Sequence, residues 1–283
     1  MSRTLAVLML AAAGCTWGAT FPVVKAALAD TGPLTFLALR FGLASVLLVP
    51  LLRFGGGVGA SAWRAVLCGV ALFLGYALQT TGLATTTPAR SAFITALSVV
   101  LVPTLEPVFG IGRATMRVWC GACLALAGLA VLLRPDAGPF SVGDLLTVGC
   151  AAVFGLHVLL LQWTVRAVPA TRASTIQVLT TAALAVPFAG IEGWKAAPTI
   201  RLAAAVLVCA LLATVGAFWV MTTVQRVLSA SMTAVVLTLE PVAAAVTSVA
   251  MGQDTPSIAM ILGGIIVIAG VILATATPRR SPH

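Results

Sequence analysis

Residues 257–276 read SIAMILGGIIVIAGVILATA, twenty consecutive positions without a charged side chain. A helix of that length rises about 30 Å, the thickness of the hydrocarbon core of a bilayer. The stretch is therefore predicted to cross a membrane. Its glycines, Gly263, Gly264 and Gly270, lie in an otherwise nearly nonpolar span, where small residues let helix backbones approach each other closely. Gly263 and Gly270 have counterparts 142 residues earlier, Gly121 and Gly128, inside a second apolar run from Arg117 to Leu133. Spanning segments and an internal repeat are thus visible in one short piece of chain.

The whole sequence agrees. Residues of the AVILMFWYC set make up 60% and charged residues 8%, against about a quarter charged in soluble domains. Mean hydropathy is +1.13. Ten runs are long enough to span, near Leu5–Ala29, Pro33–Leu52, Trp63–Leu83, Ala89–Phe109, Arg117–Leu133, Asp144–Trp163, Thr171–Gly190, Leu202–Val224, Ser229–Met251 and Ser257–Ala276. No segment is left over for a soluble domain. The expected class is an all-α polytopic membrane protein with ten transmembrane helices.

Sliding one half over the other extends the repeat. Trp17-Gly18 aligns with Phe154-Gly155 and Arg40 with Gln177 at an offset of 137, and Gly75 with Gly216 at 141. The offset drifts smoothly to 142 at the last helix. Five helices per unit is an odd number, so the second copy enters the bilayer from the opposite side. Two inverted five-helix repeats are expected, over residues 1–135 and 140–277.

Basic residues orient the bundle. One side collects Arg3, Arg53, Arg64, Arg113, Arg117, Arg166, Arg172, Arg226, Arg279 and Arg280 and no acid. The other carries Lys25, Arg90, Arg134, Lys195 and Arg201, balanced by Asp30, Asp136, Asp144, Glu192 and Asp254. This partition predicts both termini in the cytoplasm. The net charge of +9 then reads as a basic face against anionic lipid, not as a nucleic-acid site. Ala12-Ala13-Gly14-Cys15 has the look of a cleavage site, yet the apolar run continues through Val24, and an uncleaved first helix is expected.

Three charges fall within spans: Arg40, Glu106 and Glu240. Ionisable groups there are costly and usually face a cavity or a partner. The tetrapeptide TLEP occurs at 104–107 and 238–241, but its offset of 134 is out of register with the repeat, so the recurrence is coincidental. Glu240 lies 11 residues after Ser229, near mid-membrane, whereas Glu106 is close enough to a helix end to reach headgroup water. For Glu240 two readings stand open: a cavity carboxylate binding a cation or proton, or a protonated acid bonded to a neighbouring helix. Pro241 frees a backbone carbonyl near Leu237 and favours a kink. Arg40 is expected to snorkel outward or to pair with an acid.

His157, the only histidine within a span, is either a proton relay or an interhelical hydrogen bond. Trp17, Tyr76, Gln79, Trp163, Phe218, Trp219 and Met221 form a set of rings and soft side chains; Tyr76 and Gln79, at i,i+3, share a helix face. Cys120 and Cys123 lack the loop and paired ligands of a zinc or redox site. The sequence contains no H-E-x-x-H, no G-x-S-x-G and no Walker loop. No enzyme, cofactor or metal is expected, and any transport is downhill or coupled to an ion gradient.

Trp17-Gly18 with Phe21, Pro33 leading to Arg40, Leu78-Gln79 with Gly82-Leu83, Ala92-Phe93-Ile94-Thr95 leading to Val102-Pro103, Leu239-Glu240-Pro241-Val242 and Gly270-Val271 together resemble the EamA-type branch of the drug/metabolite transporter superfamily over nearly the whole chain. The resemblance implies alternating access around a central cavity lined by helices one, three, four, six, eight and nine, and it points to bacterial exporters of amino acids, aromatic ones included. One departure stands out: where the family often has Gly-Glu closing helices four and nine, this chain has Gly112-Arg113 and Gly252-Gln253-Asp254. The expected substrate-binding residues are Trp17, Tyr76, Gln79, Thr95, Ser98, His157, Trp163, Trp219, Thr238 and Glu240, with Arg40 and Pro241 as gating elements. The partners are a small-molecule substrate and the lipid bilayer, and the chain is expected as a monomer or a homodimer. The alternatives are a multidrug or lipophilic-cation exporter, for which Glu240 is the counter-ion, and a membrane-embedded enzyme or scaffold.

Overall fold

A computed structural model describes residues 1–54, 59–133, 139–252 and 255–276. Arg134, Asp136, Gln253, Asp254, Arg279 and Arg280, and the side chain of Arg53, lie outside the described residues. Ten spans run in chain order: α1 (Arg3–Ala27), α2 (Pro33–Leu48), α3 (Ala62–Thr85), α4 in two pieces (Pro88–Ala96 and Ser98–Leu105), α5 (Met116–Leu133), α6 (Val142–Thr164), α7 (Ala170–Glu192), α8 (Ile200–Val224), α9 in two pieces (Ala230–Val236 and Leu239–Ala250) and α10 (Ile258–Thr275). Nine of them are long and apolar enough to cross a membrane, and the tenth, α4, is a shorter apolar helix.

Local chemistry fixes the ends. Pro33 and Pro88 occupy first helical positions, where a missing N–H costs nothing. Ser141 and Asp144 cap each other's backbone at the start of α6, and the hydroxyls of Thr199, Ser229 and Ser257 cap α8, α9 and α10. Gly193, at φ 90°, closes α7 in the left-handed region.

Two spans depart from the continuous helices that hydropathy predicts. In α9, Pro241 has no N–H for the Leu237 carbonyl, which instead accepts from Glu240 N at 2.9 Å, and the helix breaks at Leu237–Thr238. In α4 the break falls at Leu97 and the helix stops at Leu105, just ahead of Pro107. The breaks are related by the repeat. Leu97 and Thr238, 141 apart, each donate to the carbonyl three residues back, at 3.1 Å.

Packing proves the inversion. Helices α5 and α10 lie side by side with Gly121 against Gly270 and Gly128 against Gly263. A Cβ on Gly121 would sit 2.6 Å from the Gly270 carbonyl oxygen, and one on Gly263 would sit 2.6 Å from that of Gly128. Rising numbers on one helix meet falling numbers on the other, so the fifth helices of the two repeats are antiparallel. The remaining contacts obey the same twofold: α1 packs on α9 as α6 packs on α4, and α3 packs on α6 as α8 packs on α1.

Polar ties gather at the bundle ends. At the end away from the N-terminus, Lys25 Nζ donates to the Leu83, Ala84 and Thr86 carbonyls at the foot of α3, and Arg90 meets Asp144 at 2.8 Å. Glu192 accepts from Thr35 N and Leu34 N at the start of α2. Hydrogen bonds from Arg201 and Thr199 hold the Asp30 carboxyl at about 2, well below the usual carboxylate range. At the N-terminal end, Arg166 donates to the Ile111 carbonyl, and the Ser231 hydroxyl donates to Glu106. Glu106 is therefore not the headgroup-facing acid its position in the sequence suggests. It is 1% exposed, because the first turn of α9 covers the end of α4.

Candidate functional site

Where α1, α3, α4, α6, α8 and α9 meet, the bundle leaves a cavity of about 70 Å³, room for several water molecules. Two close crossings shape it. Gly18 on α1 lies so near α9 that a Cβ there would be 2.0 Å from the Glu240 carbonyl oxygen, and Gly75 on α3 lies against the Phe154 ring. Small residues at these crossings draw the cavity-lining helices together.

Four rings form its wall. Trp17 packs on Phe218 with ring centroids 5.1 Å apart, and Tyr76 on Phe154 at 5.2 Å. These contacts are copies of one another, since Phe154 follows Trp17 by 137 residues and Phe218 follows Tyr76 by 142. The offset steps from 141 at Gly75/Gly216 because residues Leu211–Gly216 form a π-helical turn, which absorbs one extra residue.

The polar groups are not copied. Arg40, 2% exposed, donates from Nε to Thr214 Oγ1 at 2.8 Å and from Nη2 to Tyr76 Oη at 3.3 Å and the Ala213 carbonyl at 3.2 Å. Its guanidinium also lies 4.6 Å from the Tyr76 ring centroid. It neither snorkels to an interface nor bonds an acid. Trp17 Nε1 shares the Ala213 acceptor at 2.7 Å. Across the twofold stands neutral Gln177, whose Nε2 donates to Thr222 Oγ1 at 3.2 Å and whose Oε1 faces His157 Nε2 at 2.8 Å. An amide oxygen only accepts, so Nε2 carries the imidazole proton.

Of the residues expected to bind substrate, the structure brings together Trp17, Tyr76, Gln79, Thr95, Ser98, His157, Thr238 and Glu240, and Pro241 also lines the cavity. Gln79 Nε2 donates to Thr95 Oγ1 at 3.5 Å. The Glu240 carboxylate has no hydrogen-bond partner among the described residues. Beside the main cavity lies a smaller one lined by Arg40, Tyr76, Gln79, Trp17 and Glu240. Trp163 and Trp219 stand elsewhere, a correction to the expected set. Trp163 stacks edge-on with Trp63 at 5.2 Å and lies under Arg64, at a helix end where an indole suits the interface. Trp219, 43% exposed, points outward and donates to Thr171 Oγ1 at 3.4 Å, because it follows the inward Phe218 by one position, about 100° around the helix.

Sequence reasoning overlooked Phe154 as a cavity ring, although the alignment of Trp17 with Phe154 marks it. Met221, one of the soft side chains singled out in the sequence, also lines the cavity, and Leu72, Ala92, Ala96, Val158, Ala234 and Leu237, which carry no chemical signal of their own, complete the lining. Among the described residues no cluster of three metal-ligating side chains occurs. The cavity offers aromatic faces, hydroxyls, an amide, an imidazole and one carboxylate.

Comparison with known proteins agrees with this architecture. Residues 4–134 and 141–276 each match the EamA-like transporter family. An uncharacterized transporter of Archaeoglobus fulgidus is 30% identical over 275 residues, covering 97% of this chain and 87% of the relative. A crystal structure of a protein that is 22% identical superposes with a TM-score of 0.81 over 97% of both chains, a likeness of fold.

Proposed function

The chain belongs to the EamA-like transporter family, so it is a multi-pass membrane transporter of small molecules, and on that premise we propose that it exports amino acids, aromatic ones included, or similar small amphipathic metabolites by alternating access. The observation that carries the reading is the ring-walled cavity at the meeting of six helices, with Glu240, His157, Gln79, Thr95, Ser98 and Thr238 on its lining. Rings accept an apolar side chain by stacking, and the polar groups accept an ammonium and a carboxylate. A sugar phosphate would call for several basic residues, and among the described residues Arg40 is the only one on the lining of either cavity. The setting is a bacterial inner membrane with both termini cytoplasmic, on the strength of the arginine partition.

A second reading, export of lipophilic cations, is favoured by Glu240, the one acid of the lining. Counterflow of a labelled amino-acid panel into proteoliposomes, with organic cations as competitors and with and without a pH gradient, separates the two. Uptake of an aromatic amino acid that unlabelled amino acids suppress supports the proposal. Uptake of cations alone moves the assignment to the second reading, and a protein with no flux of either class is not the proposed exporter.

A further inference from the structure

We infer that Arg40 is the built-in counter-ion of Glu240, and that these two groups, on the lining of one small cavity, select solutes of zero net charge over monocations. The inference rests on the proposed function and specifies the charge of its substrate.

Arg40 and Glu240 line one small cavity that adjoins the larger one. No hydrogen bond joins them, and each faces the same small space. All three acceptors that hold the guanidinium are neutral, so its charge is not cancelled where it is bonded. The carboxylate lacks a hydrogen-bond donor among the described residues, so its charge is not cancelled locally either. Among the described residues no other side chain on either lining carries a formal charge, His157 being a neutral imidazole that donates to Gln177.

The repeat makes the same point. The twofold carries Arg40 onto Gln177, and the 141-residue offset between the helix breaks carries Glu240 onto Val99. Each repeat supplies one of the two charges, and the twofold image of the pair, Gln177 on α7 with Val99 on α4, is neutral.

A charge held away from water is costly unless compensated. With the pair intact, the empty cavity is balanced, and a bound zwitterion keeps it so by turning its ammonium to Glu240 and its carboxylate to Arg40. A monocation enters against the field of Arg40 and leaves the site with an excess charge as it crosses the bilayer.

The test compares two probes with the same ring, phenylalanine and the permanently charged phenyltrimethylammonium, in counterflow with purified full-length protein in liposomes. Wild-type protein is expected to favour phenylalanine, at a rate unchanged by an imposed membrane potential. In Arg40→Gln, which copies Gln177, phenylalanine flux is expected to fall about thirtyfold, a typical cost of removing one partner of a desolvated charge pair, while phenyltrimethylammonium flux rises above wild type. The double variant Arg40→Gln with Glu240→Gln loses that gain, and Arg40→Lys keeps the wild-type preference. An Arg40→Gln protein that elutes as folded and keeps the wild-type ratio of the two fluxes overturns the inference while leaving the proposed function intact. If Arg40→Gln does not fold, Glu240→Gln is read instead: a shift in favour of the anion phenylacetate supports the pairing, and no shift overturns it. If the wild type carries neither probe, the amino-acid assignment falls, and the inference is read from binding. Phenyltrimethylammonium bound by Arg40→Gln and not by wild type supports it, and equal binding to both overturns it.

Discussion

Gly18→Ala adds one methyl group at the crossing of α1 and α9 and tests whether that contact positions the cavity. The new carbon would lie 2.0 Å from the Glu240 carbonyl oxygen and 2.8 Å from Ala243 Cβ. Carbon and oxygen settle at about 3.3 Å, so the two backbones must part by about 1.3 Å. Neither obstacle is the far end of a flexible side chain, so the movement falls on α9 itself, which carries Glu240 and Pro241. Overpacking of this kind costs about 1–3 kcal/mol. Gly42→Ala is the control, because a Cβ at Gly42 on α2 meets nothing within 4 Å. There the exchange should stabilise by about 0.5–1 kcal/mol through helix propensity. The two variants should therefore differ by about 1.5–4 kcal/mol, several degrees in the unfolding midpoint at roughly 2–4 °C per kcal/mol. The assay is thermal unfolding in detergent beside counterflow in liposomes. Gly18→Ala should lose both stability and flux, and Gly42→Ala neither. Equal midpoints for the two variants would refute the claim that close approach at Gly18 fixes α9.

Glu240→Gln should slow transport in proteoliposomes more than Glu106→Gln, because Glu240 opens to the cavity whereas Glu106 is sealed against Ser231; equal rates count against that ranking. Phe154→Ala and Tyr76→Ala should each reduce aromatic amino-acid counterflow about tenfold, in line with the loss of one stacked ring, while Trp219→Ala leaves it within about twofold; a Trp219 effect as large as that of Phe154 would place the substrate elsewhere. Asp144→Asn removes the buried partner of Arg90 and weakens the cap of α6, and it should lower stability by about 3 kcal/mol, read from the unfolding midpoint. An unchanged midpoint would mean that the Arg90–Asp144 pair is not a tie holding α4 to α6.

The broken helices show how far local signals reach. Pro241 announces the interruption of α9, since a missing N–H acts within one turn, and the break appears at Leu237–Thr238. The matching break at Leu97 has no proline in that place, and it becomes visible only through the repeat. Glu106 misleads for a related reason. Its depth along α4 can be counted, but the chain that covers it arrives from α9, 125 residues later.

The apolar runs, the odd number of helices per unit and the reciprocal glycines determine by themselves a membrane bundle of two oppositely oriented halves, because the bilayer leaves a helix few alternatives and a glycine pair few uses. Of the cavity rings, Trp17, Tyr76 and Phe218 stand out in the sequence, and Phe154 is marked only by its alignment with Trp17. Which rings turn inward was not: Phe218 and Trp219 are adjacent and similar in chemistry, and only the packing of α8 against α1 decides between them. Nor does hydropathy reveal that Arg40, placed in the second span, lines the same small cavity as a carboxylate in the ninth. Such a pairing depends on how separate helices cross, and crossing is decided by contacts between residues about two hundred positions apart in the chain.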